Sequence, residues 1–138
     1  MIRRATPADM AAVFEIRRVV FIEGQNVPEE LEHDGLDAEA LHLIAFANDR
    51  PVGTARLLIA EGVGKIGRVA VLAEHRGTGL GKAIMRAALD TLREEGVRKA
   101  KLASQTHAIG FYEALGFEAY GPEFIDAGIT HRDMMLRL

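Results

Sequence analysis

Apolar residues recur in two patterns along this chain, one with the period of a strand and one with that of a helix, and their order predicts the architecture. Met1 to Ala5 predicts a first strand. Thr6-Pro7-Ala8-Asp9 reads as a helix start, with Thr as N-cap, Pro at the first helical position and Asp three residues after the cap. Val13, Ile16, Val20 and Phe21 give that helix an apolar stripe. From Glu23 to Asp37 the chain is polar and broken by Gly24, Pro28 and Gly35, leaving room for a short helix at most. Leu41 to Ala47 predicts a strand, Asn48-Asp49-Arg50-Pro51 a turn, and Val52 to Ile59 the hairpin partner. Gly62 and Gly64 mark another turn before a strand at Lys65 to Val71.

A longer helix follows. Leu80, Ile84 and Ala88 recur at i+4 with Met85, Leu89 and Leu92 in the neighbouring row, and Gly96 supplies a C-terminal stop. Lys99 to Ser104 predicts a strand, Ala108 to Leu115 a short helix, Phe117 to Tyr120 a strand and Thr130 to Leu138 the last one. Antiparallel hairpins followed by β-α-β-α-β predict an α/β (α+β) mixed sheet with helices on its faces.

At 138 residues this amounts to a single domain, 1–138, able to bury one core. No apolar run is long enough to cross a bilayer, and no basic segment precedes a signal-peptide core. Cysteine is absent, which excludes disulfides, thiolate metal sites and a cysteine nucleophile. The expectation is a cytoplasmic protein with no membrane partner. A formal charge of −3 gives no electrostatic reason to expect nucleic acid. The histidines show no metal-ligand spacing, so no metal is expected.

The most informative stretch is Arg76-Gly77-Thr78-Gly79-Leu80-Gly81-Lys82, between the Lys65–Val71 strand and the long helix. A glycine-rich turn opening a helix gathers unpaired N–H groups at the positive end of the helix dipole, where backbone can approach a ligand closely. That chemistry suits a phosphate or pyrophosphate, and a plain tight turn is the alternative. A Walker A loop fails on spacing: Arg76 stands where its first Gly belongs, and Ala83 follows Lys82 where Ser or Thr would hold magnesium. The dinucleotide fingerprint fails because Lys82 takes the place of its third Gly, in mid-chain.

Arg-x-x-Gly-x-Gly after Val69-Ala70-Val71 resembles the acyl-CoA-binding motif of the GNAT superfamily of N-acetyltransferases. The block Gln105-Thr106-His107-Ala108-Ile109-Gly110-Phe111-Tyr112-Glu113-Ala114-Leu115-Gly116-Phe117 is similar to that superfamily's following motif, ending in Tyr-x-x-x-Gly-Phe. The Val20–Pro28 region with Asp34 and Asp37, and the tail from Phe124 to His131, resemble the ElaA-like subgroup. The resemblance implies the GNAT acyl-CoA N-acyltransferase fold: a mostly antiparallel central sheet with one splayed parallel pair and about four helices. It also implies acetyl-CoA (coenzyme A) as donor and a primary amine of a small molecule or peptide as acceptor, and leaves a homodimer open.

Residue by residue, the resemblance gives the Val69, Ala70 and Val71 backbone to the pantetheine arm. It gives the amides of Gly77, Thr78, Gly79, Leu80, Gly81 and Lys82 to the pyrophosphate, with Arg76 at the entrance. Gln105 stands where many relatives carry Asn, and Ala108 and Phe111 would lie along the CoA chain. Tyr112 is the implied general acid toward the leaving thiolate, a phenol being the weaker acid of the two; a packed structural tyrosine is the alternative.

Many relatives place Glu just before the Arg-Val pair, and here that position is Gly67. Glu23, Glu32, His33, Asp34 and His131 remain as candidates for a general base or acceptor contacts, each also readable as a solvated surface group. Gly67 therefore keeps a rival open, a non-catalytic acyl-CoA-binding or regulatory module of the same fold. Glu23, Glu29, Glu30, Glu32, Asp34 and Asp37 share a segment without Lys or Arg, which would attract a cationic amine if it bordered the acceptor pocket.

Overall fold

The computed structural model describes residues 1–138. Seven strands form one sheet: β1 Ile2–Arg4, β2 Leu41–Ala47, β3 Arg50–Ala60, β4 Val63–Val71, β5 Lys99–Gln105, β6 Glu118–Asp126 and β7 Ile129–Arg137, in the order β1-β2-β3-β4-β5-β7-β6. Every pairing is antiparallel except β4 with β5. The helices are α1 Met10–Arg17, which continues as a π-helical stretch through Glu23, α2 Glu29–Glu32, α3 Leu80–Glu94 and α4 Ile109–Glu113. The GNAT fold expected from the motifs is the fold observed.

The two apolar rows of α3 form the larger core. Ile84, Met85, Ala88, Leu89 and Leu92 are buried against Leu43, Ala55, Leu57 and Ile66 of the sheet. A Cβ on Gly64 would lie 2.5 Å from Leu92 Cδ2, so the missing side chain lets the helix sit this close to β4. On the opposite face, Ile16 and Val20 pack against Ala70. The capping expectation at Thr6 holds: its N–H donates to Asp9 Oδ2 at 2.7 Å, although the first turn is a 3-10 turn over Pro7–Asp9.

The parallel pair joins only Val63–Lys65 to Lys99–Lys101, and beyond it the two strands diverge. On its other side β4 stays paired with β3 but carries a bulge. Thr54 faces Ala70 and Arg56 faces Gly67, so Ala55 alone stands opposite Arg68 and Val69. Arg68 occupies the left-handed region at φ 50°. One extra residue inverts the alternation that follows it. Ile66 before the bulge and Val69 and Val71 after it all pack on the α3 side. Arg68 is thereby turned to the α1–α2 side, where it meets two other arginines.

There the acidic segment is not free of cations, as its own sequence implies. Arg17, from the last turn of α1, donates from Nε to Glu32 Oε1 and from Nη1 to Asp37 Oδ1 at 2.7 Å. Arg56 of β3 makes a two-point contact with Asp34, 2.8 Å on each arm. Arg68 Nη2 donates to the carbonyls of Leu31 and Glu32 and to Asp34 Oδ2. Hydrogen bonds from Arg56, working against partial burial, hold the Asp34 carboxyl well below the usual carboxylate range. These pairs fasten the irregular segment after α1 to the sheet.

The Arg17 and Glu32 side chains are 1% and 2% exposed. Removing one member of such a pair leaves the other charge stranded in the interior, a loss of about 3–5 kcal/mol. Arg17→Met keeps the volume and leaves the buried Glu32 with only the longer Arg68 contact, so urea unfolding is expected to show a loss approaching that size. A loss under ~1 kcal/mol would mean that the pair does not fasten this segment.

Candidate active site

Divergence of β4 from β5 opens a cavity of about 520 Å³. Its walls come from four places: Gly67, Arg68 and Val69 on β4, Ala103 and Gln105 on β5, the segment around Leu31 and Asp34, and the β6–β7 hairpin with Asp126 and His131. Tyr112 and Ala108 close one end. A Cβ added to Gly67 would meet nothing within 4 Å, so this position leaves open space where many relatives are expected to project a carboxylate.

Beyond Lys65 the β5-facing edge of β4 is unpaired. Leu72 N–H donates to Val52 on the β3 side, so by strand alternation Val69 and Val71 turn their polar groups toward the gap. The Val71 carbonyl accepts from Arg76 Nε at 3.1 Å, a bond that holds Arg76 against the strand end. Ala70 differs from its neighbours. Its side chain is buried between Ile16 and Val20, so it is a core residue whose contribution to any ligand is limited to backbone.

The glycine-rich turn has the geometry its sequence suggested. Gly77 and Gly79 have φ of 75° and 84°, and Gly79 caps α3 with no side-chain hydrogen bond at that end. None of the amides from Gly77 through Lys82 donates a hydrogen bond within the protein. The first such bond in α3 runs from Ala83 N–H to Gly79. A row of free donors at a helix N-terminus has the chemistry to hold an anion. Thr78 spends its hydroxyl on the His75 carbonyl, and the half-exposed Phe111 ring covers Gly81, 3.8 Å from where a Cβ would sit there.

Tyr112 is largely enclosed, with Phe111 and Phe117 set edge-on to its ring at centroid distances of 5.0 and 6.2 Å. Its hydroxyl has no protein partner, and burial pushes its pKa up from an ordinary value already well above neutrality, so the phenol is protonated at neutral pH. His131 stacks on Phe124, and its Nδ1 lies 2.7 Å from the Ile129 carbonyl oxygen. A carbonyl only accepts, so Nδ1 carries the proton and Nε2 of the neutral ring keeps its lone pair. Gln105 lines the cavity, but its amide is engaged: Nε2 donates to Gln25 and Oε1 accepts from His107. These bonds tie β5 to the segment after α1.

The remaining acid and base candidates separate cleanly. Glu32 and Asp34 line the cavity but are committed to Arg17, Arg56 and Arg68, which removes them as free bases and as a field for a cationic amine. Glu23 is exposed and paired with Arg18. His33 is exposed, with its ring 5.8 Å from that of Phe14, and lies outside the cavity. Of the five, His131 alone combines a place on the cavity wall with an uncommitted nitrogen.

Sequence reasoning missed Arg17, Arg56 and Arg68. A signal existed for two of them: Arg17 adjoins the apolar stripe of α1, and Arg56 interrupts an apolar strand. Charged groups at core positions imply partners brought from elsewhere in the chain.

The Acetyltransferase (GNAT) domain family matches residues 10–138. The uncharacterized N-acetyltransferase YjcF of Bacillus subtilis is 39% identical over 88% of this chain and 88% of its own length. An acyl-CoA N-acyltransferase from Pseudomonas aeruginosa superposes with a TM-score of 0.86 at 29% identity, over 98% of this chain and 97% of that one. The crystal structure of Escherichia coli ElaA gives 0.83 at 26% identity, over 98% and 99%. With its family match, its open β4 edge and its glycine cradle, the chain belongs to the GNAT family of N-acetyltransferases.

Proposed function

We propose that this protein transfers the acetyl group of acetyl-CoA directly to a primary amine of a small molecule or peptide. The observation that carries the proposal is the row of free amides from Gly77 to Lys82, next to the edge of β4 that β5 leaves unpaired at Val69 and Val71. Together they offer a pyrophosphate site and a strand-like track leading into the cavity beside Tyr112. Acetyl-CoA would supply an activated thioester there.

The chain's own groups account for the proton movements. His131 Nε2 accepts a proton from the acceptor's ammonium or from the amine as it attacks. Tyr112, protonated at neutral pH, gives its proton to the departing sulfur as negative charge develops there. Gly67 supplies no carboxylate, so the base role moves across the cavity from β4 to β7. The Arg–Asp–Glu pairs keep one wall fixed, which lowers the cost of orienting the acceptor.

Gly81 gives the cleaner test of the cradle. Gly79 is left-handed, so a side chain there strains the backbone. Gly81 has an ordinary φ and room for a Cβ. Gly81→Val is expected to weaken CoA binding, read by calorimetry, by an order of magnitude or more while thermal unfolding stays near that of the parent. Unchanged affinity would mean that the phosphates bind elsewhere.

Tyr112→Phe and His131→Gln separate acid from base. Each is expected to lower turnover by about a hundred-fold or more, with CoA affinity little changed. Wild-type turnover in either variant, measured by thiol release across a range of pH, removes that residue from the mechanism.

A further inference from the structure

After the ion pairs of the cavity wall are assigned, β4 keeps one unpaired cation, Lys65, and one free arm of a paired one, Arg68 Nη1. Arg68 uses Nη2 for all three of its hydrogen bonds. Its Nε is buried without a hydrogen bond, 3.4 Å from Glu32 Oε1, and its Nη1 is neither buried nor partnered. Lys65 also lines the cavity, is exposed and makes no ion pair. Gly67 lies between the two and adds no side chain to block the space they border. Burial and the neighbouring Arg56 guanidinium both press the Arg68 pKa down, the response of a cation whose surroundings undercompensate it.

The carboxylates of the cavity do not fill this role. Glu32 is bonded to Arg17, and Asp34 is bonded to Arg56 on both oxygens. Asp126 is unpaired, but it belongs to the β6–β7 hairpin, on the wall that carries His131. The cavity is therefore polarised. The unpaired Lys65 ammonium and the free Nη1 arm of Arg68 lie on the β4 wall, and an uncommitted carboxylate and imidazole lie on the hairpin wall.

We propose that Arg68 Nη1 and Lys65 Nζ form a carboxylate subsite, and that the acceptor is an amine that itself carries a carboxylate, in the manner of an amino acid. The carboxylate docks on the β4 wall against the guanidinium and ammonium. The amino group is thereby held toward Asp126 and His131, where it is deprotonated. Arg68 reaches this position only because the bulge turns it off the α3 face, so the left-handed residue in β4 serves recognition as well as strand divergence. This inference rests on the acetyl-transfer reading above and specifies its acceptor.

The test compares free amino acids with their carboxamides, which match in shape and lack the charge at the proposed subsite; the carboxamide's amine is the weaker base, so kcat/KM is compared per unprotonated amine. Thiol release from acetyl-CoA gives kcat/KM, and calorimetry in the presence of CoA gives acceptor affinity without turnover. At least one amino acid is expected to exceed its carboxamide by ten-fold or more in kcat/KM or in affinity. Lys65→Gln and Arg68→Gln are each expected to collapse that ratio toward one, mainly through KM, whereas Arg68→Lys retains part of it. CoA affinity serves as the check that each variant is folded, and Lys65, being exposed and unpaired, keeps the test valid if Arg68→Gln fails to fold. Equal or better use of carboxamides overturns the inference, as does a carboxylate preference that survives both Gln variants. If no amine of any kind is acetylated, the acetyl-transfer reading fails, and the calorimetric comparison still decides whether the carboxylate subsite exists.

Discussion

Everything functional in this molecule depends on one interruption of the sheet, the parting of β4 from β5 after Lys65 and Lys101. A continuous ladder would pair the Val69 and Val71 backbone groups and leave no cavity. The bulge opposite Ala55 goes with that parting, because it increases the local twist of β4 while β3 continues to hold its other edge. Its cost is an arginine in the left-handed region, of order 1–2 kcal/mol. The same arginine offsets that cost through three hydrogen bonds to the segment around Leu31–Asp34. Strand divergence, cavity and the position of the segment after α1 are thus one coupled arrangement.

The charges around that arrangement do a different job from the one their spacing in sequence suggests. Three carboxylates, Glu32, Asp34 and Asp37, meet three guanidiniums, Arg17, Arg56 and Arg68. Buried ion pairs add little net stability compared with apolar packing, but breaking one is costly, so they act chiefly to fix which surfaces meet. Here they clamp an irregular segment containing only the short α2 onto β3 and β4. The carboxylates of Glu23, Glu32, Asp34 and Asp37 are consumed internally, and the electrostatic character of the cavity is set by what stays unpaired on each wall.

Much of the fold was legible because strand periodicity and turn chemistry agreed along the chain. Leu41–Ala47 has the bounds the sequence implied, and the two apolar rows of α3 are the rows that pack. Boundaries slipped where local signals conflict with pairing. β6 runs on from Tyr120 to Asp126 through Gly121 and Pro122, because an irregularity in its register with β7 accommodates residues that would end an ordinary strand. The glycine turn with its free amides was legible because backbone geometry is written directly in glycine spacing. The arginine clamp was not, since it joins residues far apart in sequence, and no local pattern announces that Arg17, Glu32 and Asp37 converge. Nor could sequence separate the five acid–base candidates, because what separates them is whether each side chain already has a partner.

The central claim is that the edge of β4 and the glycine turn form one continuous binding track. Amide hydrogen exchange, resolved by residue, addresses it directly. Without ligand, the amides of Val69, Val71 and Gly77 through Lys82 are expected to exchange fast, because none has a partner within the protein. Saturating CoA is expected to slow both sets together while the β3-facing amide of Leu72 is already protected in its absence. Slowing confined to the glycine turn, or absent from both, would contradict a track that runs from the phosphates along β4 into the cavity.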